Sequence, residues 1–189
     1  IIKLTGIPSY ILPSPFEVAK SISTNYSLLV SHSLVTLLEI LMGLALGITL
    51  GAITAIILSM SKMMRYWVLP ILVVSQTLPV FAIAPILVLW LGYDMASKIA
   101  MATLIIYFPV TVSLLDGLHN INHDFIDLAK TMDARPTAIL QYLRIPNSLP
   151  SFTSGVKVAT SVAPIGAIVG EWVGSSEGLG YLMLHANGR

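Results

Sequence analysis

His119 and His123 stand four apart in "HNINHD", with Asp124 beside the second. That spacing puts two imidazoles on one face of a helix, near the Asp124 carboxylate, where they could ligate zinc. Two histidines in a polar connector are more often solvated, and they are read so here, with no metal site expected. The chain contains no H-E-x-x-H, no G-x-S-x-G and no G-x-x-x-x-G-K-[ST]. Zinc proteolysis, serine hydrolysis and the cradling of nucleotide phosphates therefore lack their residues. With no cysteine, thiolate metal sites and thiol nucleophiles are removed as well. No catalytic residue and no cofactor are expected, and the chain lacks the residues to hydrolyse ATP by itself. The remaining chemistry is that of polar groups in apolar surroundings. Glu39 and Glu171 border apolar stretches and read as caps or interfacial contacts. Gln76 lies between Pro70 and Pro79, with Pro85 beyond. Its amide either touches a solute or bonds a neighbouring helix, so Gln76 and Pro79 are the candidates for a translocation path.

The elements that hold these residues are set by composition. Of 189 residues, 56% are hydrophobic and 10% charged, and the mean hydropathy is +0.86, whereas soluble domains carry about a quarter charged residues. The lipid bilayer is the expected surrounding. A net charge of +1 offers no basis for nucleic-acid binding. Spans are expected over about 34–60, 66–91, 97–118 and 148–171, each near the roughly 20 helical residues that cross a bilayer. Lys157 lies in the last of them, but early enough to snorkel back to its start. The fold class is therefore an all-α, polytopic transmembrane helix bundle, read as one unit over 1–189. Lys62 and Arg65 follow the first span, and Lys130, Arg135 and Arg144 follow the third, while the other connector offers only Lys98. The two richer connectors are accordingly placed in the cytoplasm. The segment from Gly6, Pro-rich at first and then interfacial in character, is placed outside.

Gly43, Gly47, Gly51, Ala55 and Ser59 recur every fourth residue in the first span, a spacing that lets another backbone approach closely. Packing within one bundle is favoured over a dedicated dimer seam. The three prolines of the second span remove backbone donors and predict an irregular helix.

The connector 119–147 is unlike its surroundings. In "DLAKTMDARPTAILQYLRIPNSLP", a short helix is predicted with Phe125, Leu128, Ala129 and Met132 on one side. Pro136 suits the first turn of a second helix carrying Ile139, Leu140 and Leu143. The two meet at a bend near Ala134 and Arg135. A connector with amphipathic structure of its own is usually functional, although a lid over the end of the bundle would use the same pattern.

This stretch resembles the cytoplasmic EAA loop of inner-membrane permease subunits of binding-protein-dependent ABC importers. The pattern is Glu-Ala-Ala, three residues, Gly, nine residues, then Ile-x-Leu-Pro. Asp127, Leu128 and Ala129 stand at the first three positions, Asp133 at the glycine, Leu143 at the isoleucine, and Ile145 and Pro146 at the Leu-Pro. The resemblance continues through "ILPSPFEV", "SQTLPVFAIAPILVLWLGYDMASKI", "YFPVTVSLLDGL" and "GEWVGSSEGLGYLM". It implies a homodimer working with a cytoplasmic ATP-binding cassette ATPase and an external substrate-binding protein. Those loop residues, together with Ala134, Arg135 and Leu140, would couple to the ATPase. Among such permeases the chain looks most like those for hydroxymethylpyrimidine and other thiamine precursors, with nitrate, sulfonate and taurine permeases as the alternative. The family pattern has a helix before "GIPSYILPSP" and another after "GLGYLMLHA", so the chain is expected to lack both. Asp133 is the sharpest departure, because a helix-ending bend favours glycine in a left-handed conformation and a carboxylate there opposes the helix dipole. Two rivals are weaker: an ion-coupled secondary transporter would place ionisable groups at mid-membrane, and a non-transporting scaffold would not need a proline-broken span.

Overall fold

On helix α2 (Tyr26–Met60), the buried residues are Thr36, Glu39, Gly43, Gly47, Gly51, Ala55 and Leu58, one narrow stripe at three- and four-residue spacing. The opposite side is apolar and exposed, including Leu38, Leu41, Met42, Leu46, Leu50 and Ile53. A helix apolar all round, with only its small residues buried against protein, is built for lipid on its other faces. The computed structural model describes residues 14–187, so the Pro-rich start up to Pro13 lies outside the described residues.

Ahead of α2, α1 (Pro15–Thr24) begins with a capping box, in which Ser14 accepts from Glu17 N–H and Glu17 accepts from Ser14 N–H. Next come α3 (Lys62–Ser75) and α4 (Val80–Leu91), which are bent by 100° at the break between them. Gly92, at φ +86, ends α4, in a region of backbone space that few other residues occupy readily. The central helix is α5 (Met95–His119), followed by α6 (His123–Thr131) and α7 (Pro136–Ile139). After a π-helical turn at Leu140–Arg144 come α8 (Ile145–Gly174) and α9 (Leu179–Asn187). No strand occurs among the described residues.

The core lies where α2 and α8 pack on α5. Ala102 is gripped from both sides: a Cβ on Gly43 would sit 2.6 Å from Ala102 Cβ, and one on Gly166 would sit 2.9 Å from Ala102 Cα. Ala102, Ile106, Val110, Ala159 and Ala163 form one buried cluster; Ala55, Leu58, Leu114, Leu115 and Leu118 form a second.

The helix boundaries differ from the expectation in two places. The first long helix begins at Tyr26, ahead of the expected 34. The second short helix of the connector does not end before the fourth span: helical structure runs without interruption for 39 residues, Pro136–Gly174. Proline removes a backbone donor and crowds the carbonyl four residues earlier. For Pro146 that carbonyl belongs to Tyr142, and the wider π turn at Leu140–Arg144 makes room for it.

Candidate functional site

The α6–α7 corner is built by local rules. Asn122 caps α6, its side chain accepting from Asp124 N–H at 3.0 Å; Asp124 lies in the first turn and Lys130 in the last, both complementing the helix dipole. At the far end, Ala134 N–H donates to Ala129 C=O at 3.0 Å and Asp133 N–H to Lys130 C=O at 3.0 Å. These are the paired six-to-one and five-to-two bonds of a Schellman motif. Asp133 holds the required left-handed conformation, φ +55. Arg135 is extended (φ −64, ψ 149), as the residue before a proline prefers, and Pro136 opens α7.

The corner turns two different faces outward and inward. Phe125, Leu128 and Met132 are 57%, 59% and 75% exposed, three large apolar side chains at helical spacing with nothing over them. Ile126, on the other face, is buried. Asp127 pairs with Lys130 at 2.9 Å, and that hydrogen bond and charge hold its carboxyl below the usual range. Ala129 and Ala134 are half-buried at the bend, and Arg135 is exposed. Leu140 packs against the Ala55, Leu58 and Leu118 cluster, as does Ile145. Leu143 is half-buried, and Pro146 is exposed beside the π turn.

Asp133 invites a direct test. Relieving a non-glycine residue of left-handed backbone is worth about 1 kcal/mol or less, and removing the carboxylate from the helix C-terminus adds a few tenths. Asp133→Gly is therefore expected to slow amide exchange across 123–134. Asp133→Val, β-branched in the same conformation, is expected to speed it.

Gln76 and Pro79 both lie at the α3–α4 break and are exposed, Pro79 at the N-terminal boundary of α4. Gly43, Gly47 and Gly51 face α5 of the same chain, with would-be Cβ contacts of 2.6, 2.6 and 3.0 Å. His119 is half-buried, its Nδ1 2.8 Å from Leu115 C=O, and His123 is exposed. Among the described residues no group of three metal-ligating side chains occurs.

A second polar assembly was not legible from the sequence. Glu171, near the end of α8, is 1% exposed. It accepts from Thr36 Oγ1 at 2.6 Å and from Gly180 N–H. Leu179 N–H donates to Thr36 Oγ1 at 2.9 Å, and Gly178 N–H to His32 Nδ1 at 2.9 Å. Three side chains thus satisfy the orphan donors at the start of α9. Gly178, at φ +107, lies directly against the Glu171 carboxyl. Glu39 is buried beside the same group, within reach of Glu171 and Lys98, and Lys98 donates to Tyr93 C=O at 2.9 Å. Both carboxylates are thus interior rather than interfacial, and Glu171 serves as a cap, for the start of α9. Each is brought to the other by the α2–α8 crossing, which no local pattern announces.

The family described as binding-protein-dependent transport system inner membrane component matches residues 47–189. A probable ABC transporter permease protein of Haemophilus influenzae is 58% identical over 186 residues, 98% of this chain and 76% of its own. The formylaminopyrimidine transport permease protein ThiX of Halalkalibacterium halodurans is 43% identical over 180 residues, 95% of this chain and 72% of its own. The riboflavin transport system permease protein RibX of Chloroflexus aurantiacus is 33% identical over 189 residues, covering 99% and 70%. With its apolar helices and this similarity over nearly its whole length, the chain belongs to the multi-pass inner-membrane permease subunits of binding-protein-dependent ABC importers.

Proposed function

We propose that this permease carries a thiamine-precursor pyrimidine. In this reading it works as a homodimer, receives its solute from an external substrate-binding protein, and is driven by a cytoplasmic ATP-binding cassette ATPase seated on α6. The observation that carries the coupling is the bare stripe of Phe125, Leu128 and Met132 on an otherwise polar connector. Three adjacent large apolar side chains on a water-facing helix fit a groove in a partner, read as a helix-in-groove contact.

The geometry supports a lever. The Schellman bonds fix α6 against the corner, and α7 continues through the π turn into α8. At roughly 1.5 Å per residue, the 39-residue run is about 60 Å long. It joins the docking corner at one end to Glu171 and the start of α9 at the other. A push on α6 by a closing ATPase is then delivered to α8, which slides or tilts against α5. Gln76 and Pro79, at the break between α3 and α4, supply the irregular backbone expected where a path rather than lipid lies alongside.

The pyrimidine assignment is supported by the 43% identity to a relative named for formylaminopyrimidine transport. Nitrate, sulfonate or taurine remains the alternative. In proteoliposomes holding the permease, its ATPase and its binding protein, labelled formylaminopyrimidine is expected to accumulate only with ATP. Excess hydroxymethylpyrimidine should compete, and excess taurine or nitrate should not. Accumulation of taurine in place of the pyrimidine would move the protein to the alternative class.

A further inference from the structure

Between the ends of α2 and α3 and the α6–α7 corner lies a cavity of about 570 Å³, lined on its polar side by Lys62, Arg65, His119, His123, Lys130 and Arg144. No carboxylate is among the residues that line it. Among the described residues, the only salt bridge is that of Lys130 to Asp127, so Lys62, Arg65 and Arg144 face the cavity without a carboxylate partner. Arg144 Nε is fully enclosed and has no hydrogen-bond partner. Basic residues collect at the cytoplasmic border of most membrane proteins, but ordinarily they spread into solvent. Here they line one cavity, with Lys62, His123 and Lys130 exposed and Arg65, His119 and Arg144 half-buried, and the enclosed Arg144 Nε is a charged donor left unpaired, which is costly.

We propose that this cavity binds a phosphate ester, whose oxygens take the free donors of Arg65 and Arg144 with Lys62 beside them. A phosphate offers enough acceptors and charge to engage two guanidinium groups and an ammonium, where a single carboxylate would leave donors unfilled. The remaining wall is apolar, formed by Leu58, Met60, Ile126, Ile139 and Leu140, and it accommodates the organic part of the ester. The cavity touches α3 on one side and α6 and α7 on the other, so an occupant clamps the docking corner to the bundle. Occupancy therefore sets how readily α6 follows the ATPase. The site is separate from the solute path and does not depend on which solute is carried.

The ester has two possible sources, an anionic phospholipid headgroup and a soluble phosphate compound, and one experiment separates them. The full chain is placed in phosphatidylcholine nanodiscs, with either phosphatidylglycerol in the bilayer or sn-glycerol 3-phosphate, a soluble phosphate ester, in the buffer. Amide exchange is followed over 123–144. Slower exchange with phosphatidylglycerol identifies the lipid; slower exchange with glycerol 3-phosphate in pure phosphatidylcholine identifies a soluble ligand. In either case, Arg65→Gln is expected to raise the half-saturating amount about tenfold. Lys62→Gln, at an exposed position, should weaken binding less without endangering the fold. Lys20→Gln on exposed α1 should have no effect. No protection from either probe, equal protection from sodium chloride at matched ionic strength, or unchanged half-saturation in both Arg65→Gln and Lys62→Gln would overturn the proposal.

Discussion

Gly47→Leu is expected to prevent the folded permease from accumulating in the membrane. A Cβ at this position would lie 2.6 Å from Ile106 Cγ2, 2.8 Å from Ile106 Cβ and 3.1 Å from Thr103 C=O. Ile106 is fully buried and β-branched, so it has no rotamer to retreat into, and the carbonyl belongs to the α5 backbone. The helices must therefore separate, and separation also opens the contacts at Gly43 and Gly51 on the same stripe. Overpacking of this kind costs about 3 kcal/mol, a large share of the roughly 5–15 kcal/mol that holds a typical domain together. Leu46→Ala, one residue away on the exposed face, should change yield and thermal midpoint little. Normal yield of Gly47→Leu with an unchanged midpoint would show that α2 and α5 do not meet there.

That stripe is written in the sequence as small residues four apart, and the corner's bend is written in the Arg135–Pro136 pair, whereas Asp133, read as a departure from the bend, takes the left-handed conformation there. The stripe and the bend both depend on local rules, spacing on a helix and backbone preference at one residue. The extent of the last helical run could not be read in the same way. Proline at 146 marks a helix boundary by local rules, yet the π turn absorbs it because α8 and the turn before it are held against the bundle through Leu140 and Ile145. Leu140 packs inward on the bundle core, a tertiary contact that the local amphipathic pattern does not specify. The Thr36–Glu171 bond joins positions 135 apart. Only tertiary packing brings those two groups together, so sequence inspection sees two isolated polar residues. The convergence of Lys62, Arg65 and Arg144 on one cavity is hidden for the same reason.

Met132→Asp is expected to leave the permease in the membrane at normal yield while ATP-dependent uptake falls roughly a hundredfold. Met132 is 75% exposed, so the free subunit loses no packing when its side chain becomes a solvated carboxylate. In the proposed docking α6 is covered by the ATPase, and that carboxylate must then shed water without a matching cation. The penalty is about 3 kcal/mol, which corresponds to roughly a hundredfold in affinity. Leu140→Asp should behave oppositely and reduce yield, because Leu140 packs on the bundle core. The contrast separates damage to docking from damage to folding.

The docking of α6 on an ATPase is tested most directly by contact. The chain has no cysteine, so Met132→Cys introduces a single thiol at the tip of the stripe with no background. In membranes holding the permease and its ATPase, a short bifunctional reagent anchored on that thiol is expected to join the two subunits, with a yield that changes when ATP is added. Ser27→Cys, exposed near the start of α2, should give no such product. Absence of a crosslink at Met132→Cys, together with full-rate uptake by Met132→Asp, would contradict the docking of α6 and leave the corner as a lid on the bundle.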